Sequence, residues 1–242
     1  MKIVSLVPSL TELLIDIGLE KEVVGRTRFC VHPKKIIEQI PIIGGTKSPN
    51  IEKIKQIQPD FVVANKEENR KEDIEAIRAF SKVIVTDISS ITDALLGINE
   101  LGEKLGKRDA SHALVNEIGM MLIETPKPEP LKAAYLIWKN PLMTVGHDTY
   151  IHDVMNHWGL ENVFGDQTRY PEITIENLKQ ENPDVVLLSS EPYPFSDKHI
   201  DEFQSQLPDS RIILVNGEWF SWYGSRMKPA FEALNTWRET LD

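Results

Sequence analysis

IEKIKQIQPDFVVA (51–64) and IENLKQENPDVVLL (175–188) are two copies of one pattern. Aligned without gaps, seven of fourteen positions are identical: Ile51/Ile175, Glu52/Glu176, Lys55/Lys179, Gln56/Gln180, Pro59/Pro183, Asp60/Asp184 and Val62/Val186. A second echo precedes each copy, GLEKEVVGRTR (18–28) and GLENVFGDQTR (159–169). Two copies are too few for a stacked repeat array, which needs three or more units. They read instead as two similar lobes of one chain, with a cleft between.

Each copy is a helix, a turn and a strand. Ile51, Ile54 and Ile57 recur at helical spacing. Gln58-Pro59 or Asn182-Pro183 ends the helix, because proline disfavours helical geometry in the residue before it. The aliphatic run after Asp60 or Asp184 suits a strand buried on both faces, as in a parallel sheet covered by helices.

The same reading extends outward. Residues 3–7 form a strand pattern, and Ser9 is expected to cap a helix from Leu10 to Gly18, with Glu12 closing a capping box. Further strands are expected at 22–24, 42–43, 61–64 and 83–86. A helix over 68–80 turns Ile74, Ile77 and Phe80 inward. Helical spacing runs from Ser90 to Ile123 and is split at Gly106. Its second piece carries Ala110, Ala113, Leu114, Ile118, Met121 and Leu122, and is roughly 25 Å long. PKPEP (126–130) reads as an extended spacer. The second lobe continues with strands at 133–138, 143–146 and 211–215 and helices at 149–158 and 225–240. The expected fold class is therefore α/β: a lobe over 1–106, a connecting helix over 107–125 and a second lobe over 126–242, with mainly parallel sheets.

The 242 residues suffice for one large or two ordinary domains. A net charge of −10 argues against nucleic acid as a general partner. No apolar stretch approaches the length of a membrane span. One cysteine, Cys30, excludes an intrachain disulfide and a cysteine-only zinc site. MKIVSLVPS carries no signal-peptide pattern. That start reads as cytoplasmic, or as periplasmic or extracellular if a signal has been removed.

IVSLVPSLTELL (3–14), VVGRT (23–27), IGGTKSPNIEKI (43–54) and QPDFVVA (58–64) resemble class III substrate-binding proteins, the helical-backbone metal receptors. So do PLMTVGHDTYIHDVMNHWGLENVF (141–164) and GEWFSWYGSRM (217–227). The superfamily includes cobalamin- and siderophore-binding components of ABC importers. The resemblance implies two lobes joined by a rigid helix, a small ligand held between them and, for exported members, an ABC permease as partner. It implies an acidic side chain on each lobe to meet that permease; Glu72 and either Glu191 or Asp197 are the candidates.

Ligand-facing residues in open α/β sheets lie on loops at the carboxyl ends of the strands. Those loops are rich in aromatic residues: Phe29, Trp138, Tyr170, Tyr193, Trp219, Phe220, Trp222 and Tyr223. Flat aromatic walls suit a corrin or porphyrin, and the plain alternative is that several of them pack the lobe cores. Met143 lies in one of these loops. Arg28, Lys47, Lys66, Arg169 and Arg226 can pair with carboxylates or phosphate on a ligand. Cys30, His32 and His147 are possible axial ligands to cobalt or iron, against the plain alternative of a buried thiol and structural histidines. Gly44-Gly45-Thr46 could receive an anion before its short helix.

No Walker loop, dinucleotide fingerprint or nucleophile elbow is present. The expected function is capture of cobalamin, haem or another metal chelate, with no required cofactor and no covalent chemistry. Two alternatives stand beside it. One is a receptor for a bare metal ion or ferric siderophore. The other is a chelatase-like enzyme using His32 or His147.

Overall fold

The computed structural model describes residues 1–125 and 127–241. Pro126, the first residue of the expected spacer, and the terminal Asp242 lie outside the described residues. The chain divides into two compact units. The first comprises Met1–Ile88, Thr92–Gly119 and Tyr223–Met227, and the second comprises Ser89–Ile91, Met120–Trp222 and Lys228–Asp242.

In the first unit the strands are β1 (Ile3–Ser5), β2 (Val23–Arg26), β3 (Gly44–Gly45), β4 (Ser48–Pro49), β5 (Phe61–Asn65) and β6 (Lys82–Thr86). The helices are α1 (Pro8–Leu14), α2 (Lys34–Ile37), α3 (Ile51–Ile57), α4 (Lys71–Arg78) and most of α5 (Ile91–Lys104). α6 (Arg108–Glu124) lies in the first unit through Gly119 and in the second from Met120 on. A parallel sheet runs in the order β2-β1-β5-β6. Val62 and Ala64 of β5 pack with Val4, Leu6, Ile54, Ile74 and Ile77.

The second unit holds β7 (Leu131–Leu136), α7 (Tyr150–His157), β8 (Leu160–Asn162), α8 (Ile175–Glu181) and β9 (Val185–Ser189). It continues with α9 (Asp197–Gln206), β10 (Arg211–Val215), α10 (Gly217–Ser221) and, from Lys228 on, α11 (Met227–Glu239). Its parallel sheet has the order β8-β7-β9-β10, the first sheet's order element for element.

The repeated sequence explains why the two units match. Asn50 caps α3 by accepting the Lys53 N–H at 2.9 Å, and Thr174 caps α8 by accepting the Asn177 N–H at 3.1 Å. Gln58 and Asn182 then turn left-handed, with φ of 52° and 46°, one residue before each proline. Next comes the shared aspartate. Asp60 Oδ2 accepts the Lys2 N–H at 2.7 Å, and Asp184 Oδ2 accepts the Lys132 N–H at 2.8 Å. Ser81 and Ser210 donate to the carbonyls of Pro59 and Pro183, at 3.0 and 2.7 Å. Each copy thus ties its strand to the first strand of its own sheet. The earlier echo matches too: Gly18 and Gly159 both have positive φ, 83° and 66°.

Several expectations are corrected. Ser9 does not cap α1; the helix begins at Pro8, which suits the first helical position because its missing N–H is not needed there. Glu12 makes no capping box, because Arg226 takes its carboxylate. The strand expected at 42–43 is β3 at 44–45, with Ile42 bridging only Arg26. Residues 143–146 form no strand; Met143 alone bridges Trp138 and Glu172. On α6, Ala110 and Ala113 are exposed, while Ser111 and Ile118 are buried. Gly106 does divide the long helical stretch, at a φ of 73°. Among the described residues no helix is long and apolar enough to cross a membrane.

Candidate functional site

In the first unit, a network of buried polar side chains holds the carboxyl ends of the strands. Asn65, the last residue of β5, donates to Thr86 Oγ1 at 3.1 Å and accepts the N–H groups of Glu67 and Glu68. Asn69 accepts the Asn65 N–H and donates to the carbonyls of Leu6 and Thr46. These two amides fasten the ends of β1, β5 and β6 to the loop after β3. Thr11 Oγ1 reaches Ser5 Oγ at 2.7 Å. Buried Arg26 donates to the carbonyls of Ile37, Ile40, Thr27 and Cys30, which shapes the whole 27–40 loop. Sequence reasoning passed over Arg26, Asn65 and Asn69. An asparagine ending an apolar strand, beside a second asparagine four residues on, is the signal that could have found the pair.

On that frame stand the expected residues. Phe29 is 53% exposed and packs near Gly45. Lys47 donates to the Glu67 carbonyl. Lys66 pairs with Asp87 at 2.6 Å, both well exposed, so the pair adds little to stability. His32 is half-buried in the electrostatic neighbourhood of Glu12. Cys30 is corrected as a metal ligand. It is 2% exposed, with its sulfur 3.1 Å from Thr11 Oγ1 and 3.2 Å from Thr27 Oγ1. Gly44 and Gly45 form a two-residue strand against β4 rather than opening a helix.

In the second unit, Ile137–Met143 folds back on itself at the end of β7, with the Met143 N–H donating to the Trp138 carbonyl. Trp138 stands 39% exposed, its ring 5.7 Å edge-on from Tyr193, and half-buried Met143 pairs with it across the turn. Beyond it, residues 144–147 zip against 167–171. Thr144, Gly146 and His147 donate their N–H groups to Pro171, Arg169 and Gln167. Asp148 accepts the Arg169 N–H at 2.5 Å, which holds its carboxyl below the usual range. Arg169, at a φ of 58°, lays its guanidinium 5.5 Å from the Tyr170 ring centre. His147, Arg169 and Tyr170 thus come together on one small platform.

Gly146 is where the two segments touch. A Cβ there would lie 2.5 Å from the Gln167 oxygen and 2.7 Å from backbone carbon of Thr168. Backbone cannot yield as a flexible side-chain tip can. Gly146→Ala is therefore expected to cost about 1–3 kcal/mol in unfolding free energy, measured by urea unfolding. An unchanged midpoint would show that the zipper is looser than this.

In the cluster at 219–223, Phe220, Trp222 and Tyr223 are buried, which suits the packing alternative for those three. Phe220 is fully buried, 5.0 Å from the Tyr135 ring and 5.9 Å from Trp237. Trp222 and Tyr223 are 9% and 7% exposed, and Trp219 is half-buried. Glu191 is corrected as a docking acid. Its Oε1 accepts from Ser221 Oγ at 2.9 Å and Trp222 Nε1 at 2.7 Å, so it braces α10 and the turn after it. Arg226 is likewise committed, donating to Glu12 through Nε at 2.9 Å and through a second nitrogen. Glu72, in the first turn of α4, and Asp197, at the start of α9, are exposed.

Known proteins share this architecture. The family model described as periplasmic binding protein matches residues 3–212. The uncharacterized ABC transporter substrate-binding lipoprotein YvrC of Bacillus subtilis (strain 168) is 28% identical over 77% of this chain, which spans 62% of that protein's length. The vitamin B12-binding protein of Salmonella paratyphi A is 24% identical over 90% of this chain and 83% of its own. Among solved structures, the periplasmic heme-binding protein RhuT from Roseiflexus sp. RS-1 superposes with a TM-score of 0.84 at 19% identity. It covers 99% of this chain and 98% of its own, a likeness in fold.

Proposed function

The chain belongs to the periplasmic binding protein family, and on that footing we propose that it captures a planar metal chelate, cobalamin or a related tetrapyrrole, by binding alone. What supports the chelate is the Trp138–Tyr193 pair with Met143 beside it. Here a large ring stands 39% exposed at the carboxyl end of a parallel sheet, edge-on to Tyr193 and outside the buried core cluster of its unit. An aromatic face left in water at that position suits a flat, partly apolar ligand. Relatives named for vitamin B12 and heme support the same ligand class. The partner in this reading is an ABC importer, as the name of the Bacillus relative suggests. In this reading Glu72 and Asp197, both exposed, are the acids that dock with it.

An absorbance titration with aquocobalamin, ferric haem and a ferric siderophore tests the reading. A saturable shift with a tetrapyrrole is expected. Trp138→Ala should weaken that binding about tenfold, roughly 1.4 kcal/mol, without moving the unfolding midpoint. No shift with either tetrapyrrole would overturn the proposal, and a shift with the siderophore alone would replace it by the siderophore alternative.

A further inference from the structure

We infer that His147 supplies an axial nitrogen to the metal of the bound chelate, an inference that rests on the function proposed above. Its ring is fixed by one contact, Nδ1 lying 2.7 Å from the Gln167 carbonyl oxygen. A carbonyl oxygen only accepts, so Nδ1 carries the proton and Nε2 keeps its lone pair. The backbone N–H of His147 donates to the same oxygen at 3.0 Å, so ring and backbone are anchored together. His147 is exposed, and no hydrogen bond from a described residue engages Nε2. An imidazole that donates through one nitrogen to a backbone carbonyl and leaves the other open is arranged as metal-bound histidines are.

The other candidates are less suited. Cys30 is sealed between two threonine hydroxyls. His32 is half-buried near the Glu12 carboxylate. Both ring nitrogens of His152 lie against amide nitrogens, of Asn156 at 2.7 Å and Asn162 at 3.1 Å. His199 packs among Tyr193 and Phe195 and accepts the Ser196 N–H.

The ligand class follows from the count of donors. Among the described residues no group of three His, Cys, Asp or Glu side chains could hold a bare ion. A solitary imidazole suits a metal whose equatorial positions a macrocycle already fills, with one axial position open to exchange. Ferric haem and aquocobalamin both present such a position.

The test compares wild type with His147→Asn and His147→Gly, each loaded with ferric haem or aquocobalamin. The asparagine amide can still donate to the Gln167 carbonyl, yet it cannot replace imidazole on the metal. The expected result is a nitrogen-ligated absorbance spectrum in wild type. It should be lost in His147→Asn with about 10- to 100-fold weaker binding, and should return in His147→Gly when free imidazole is added. Native-like circular dichroism in both variants keeps the comparison meaningful. Wild-type binding with an unchanged spectrum and affinity in His147→Asn would overturn this inference and leave the proposed function standing. Failure of wild type to bind either tetrapyrrole would overturn both.

Discussion

Arg226→Ala is expected to lower the unfolding free energy by about 3–5 kcal/mol, the usual cost of stripping a buried charge of its partner. Arg226 and Glu12 are 18% and 10% exposed in their side chains and 214 residues apart in sequence. Burial pushes the Glu12 carboxyl above its ordinary value of 4.5, although the bond from Arg226 pulls it down; desolvation outweighs the pairing. The sign for pH follows. A carboxyl raised in the folded state contributes fully below its unfolded pKa, and loses that contribution as pH rises through its folded pKa. Wild type should therefore lose stability relative to Glu12→Gln as pH rises from about 4.5. The cost of Arg226→Ala should be least in acid, where Glu12 can be neutral, and greatest near pH 7. Since desolvation dominates, Glu12→Gln combined with Arg226→Met should recover most of the loss. Urea unfolding across pH 4–8 measures all of this. A pH-independent change under about 1 kcal/mol for Arg226→Ala would show the pair to be no more than a surface contact.

Trp158→Ala is expected to cost a similar amount, about 3–5 kcal/mol, by a different route. Trp158 is 1% exposed, and its ring lies 4.7 Å from Phe231 and 4.8 Å from His157. Removing the ring leaves a cavity between α7 and α11 and takes away the donor that reaches Asn235 Oδ1 at 2.8 Å. Trp158→Phe separates the two effects. It refills much of the space and loses only the hydrogen bond, for about 1 kcal/mol. Thermal unfolding should fall on the order of 10 °C for the alanine variant. A fall of 2 °C or less would mean that the second unit's core closes over the gap.

The repeat was legible because both copies carry the same local physics. Helix spacing, proline and aliphatic run occur within fourteen residues, so α3, β5, α8 and β9 needed no distant information. Gly106 marked a helix boundary for the same reason. The errors share a cause of the opposite kind. Glu12 sits three residues after Ser9, which locally resembles a capping box, but its partner is at 226. Trp222 and Phe220 follow a strand, where ligand-facing aromatics are expected. Their burial is decided by Glu191 and Tyr135, residues that only the folded sheet brings near. At His147, the residue type was readable as a possible ligand. The tautomer was not, because the Gln167 carbonyl lies twenty residues away.

The membership of Tyr223–Met227 in the first unit bears on how the protein is made. On the ribosome, β1, β2, β5 and β6 emerge early and can pair as a sheet. Glu12, however, must wait for 214 more residues before its arginine is synthesised. At about 5–20 residues per second that is roughly 10–40 seconds. During that interval the Glu12 carboxylate lacks its arginine partner, and the turn at Gly224, which packs beside Leu13 and Ser9, does not yet exist. The first unit therefore gains its full set of contacts only after Tyr223–Met227 has been made.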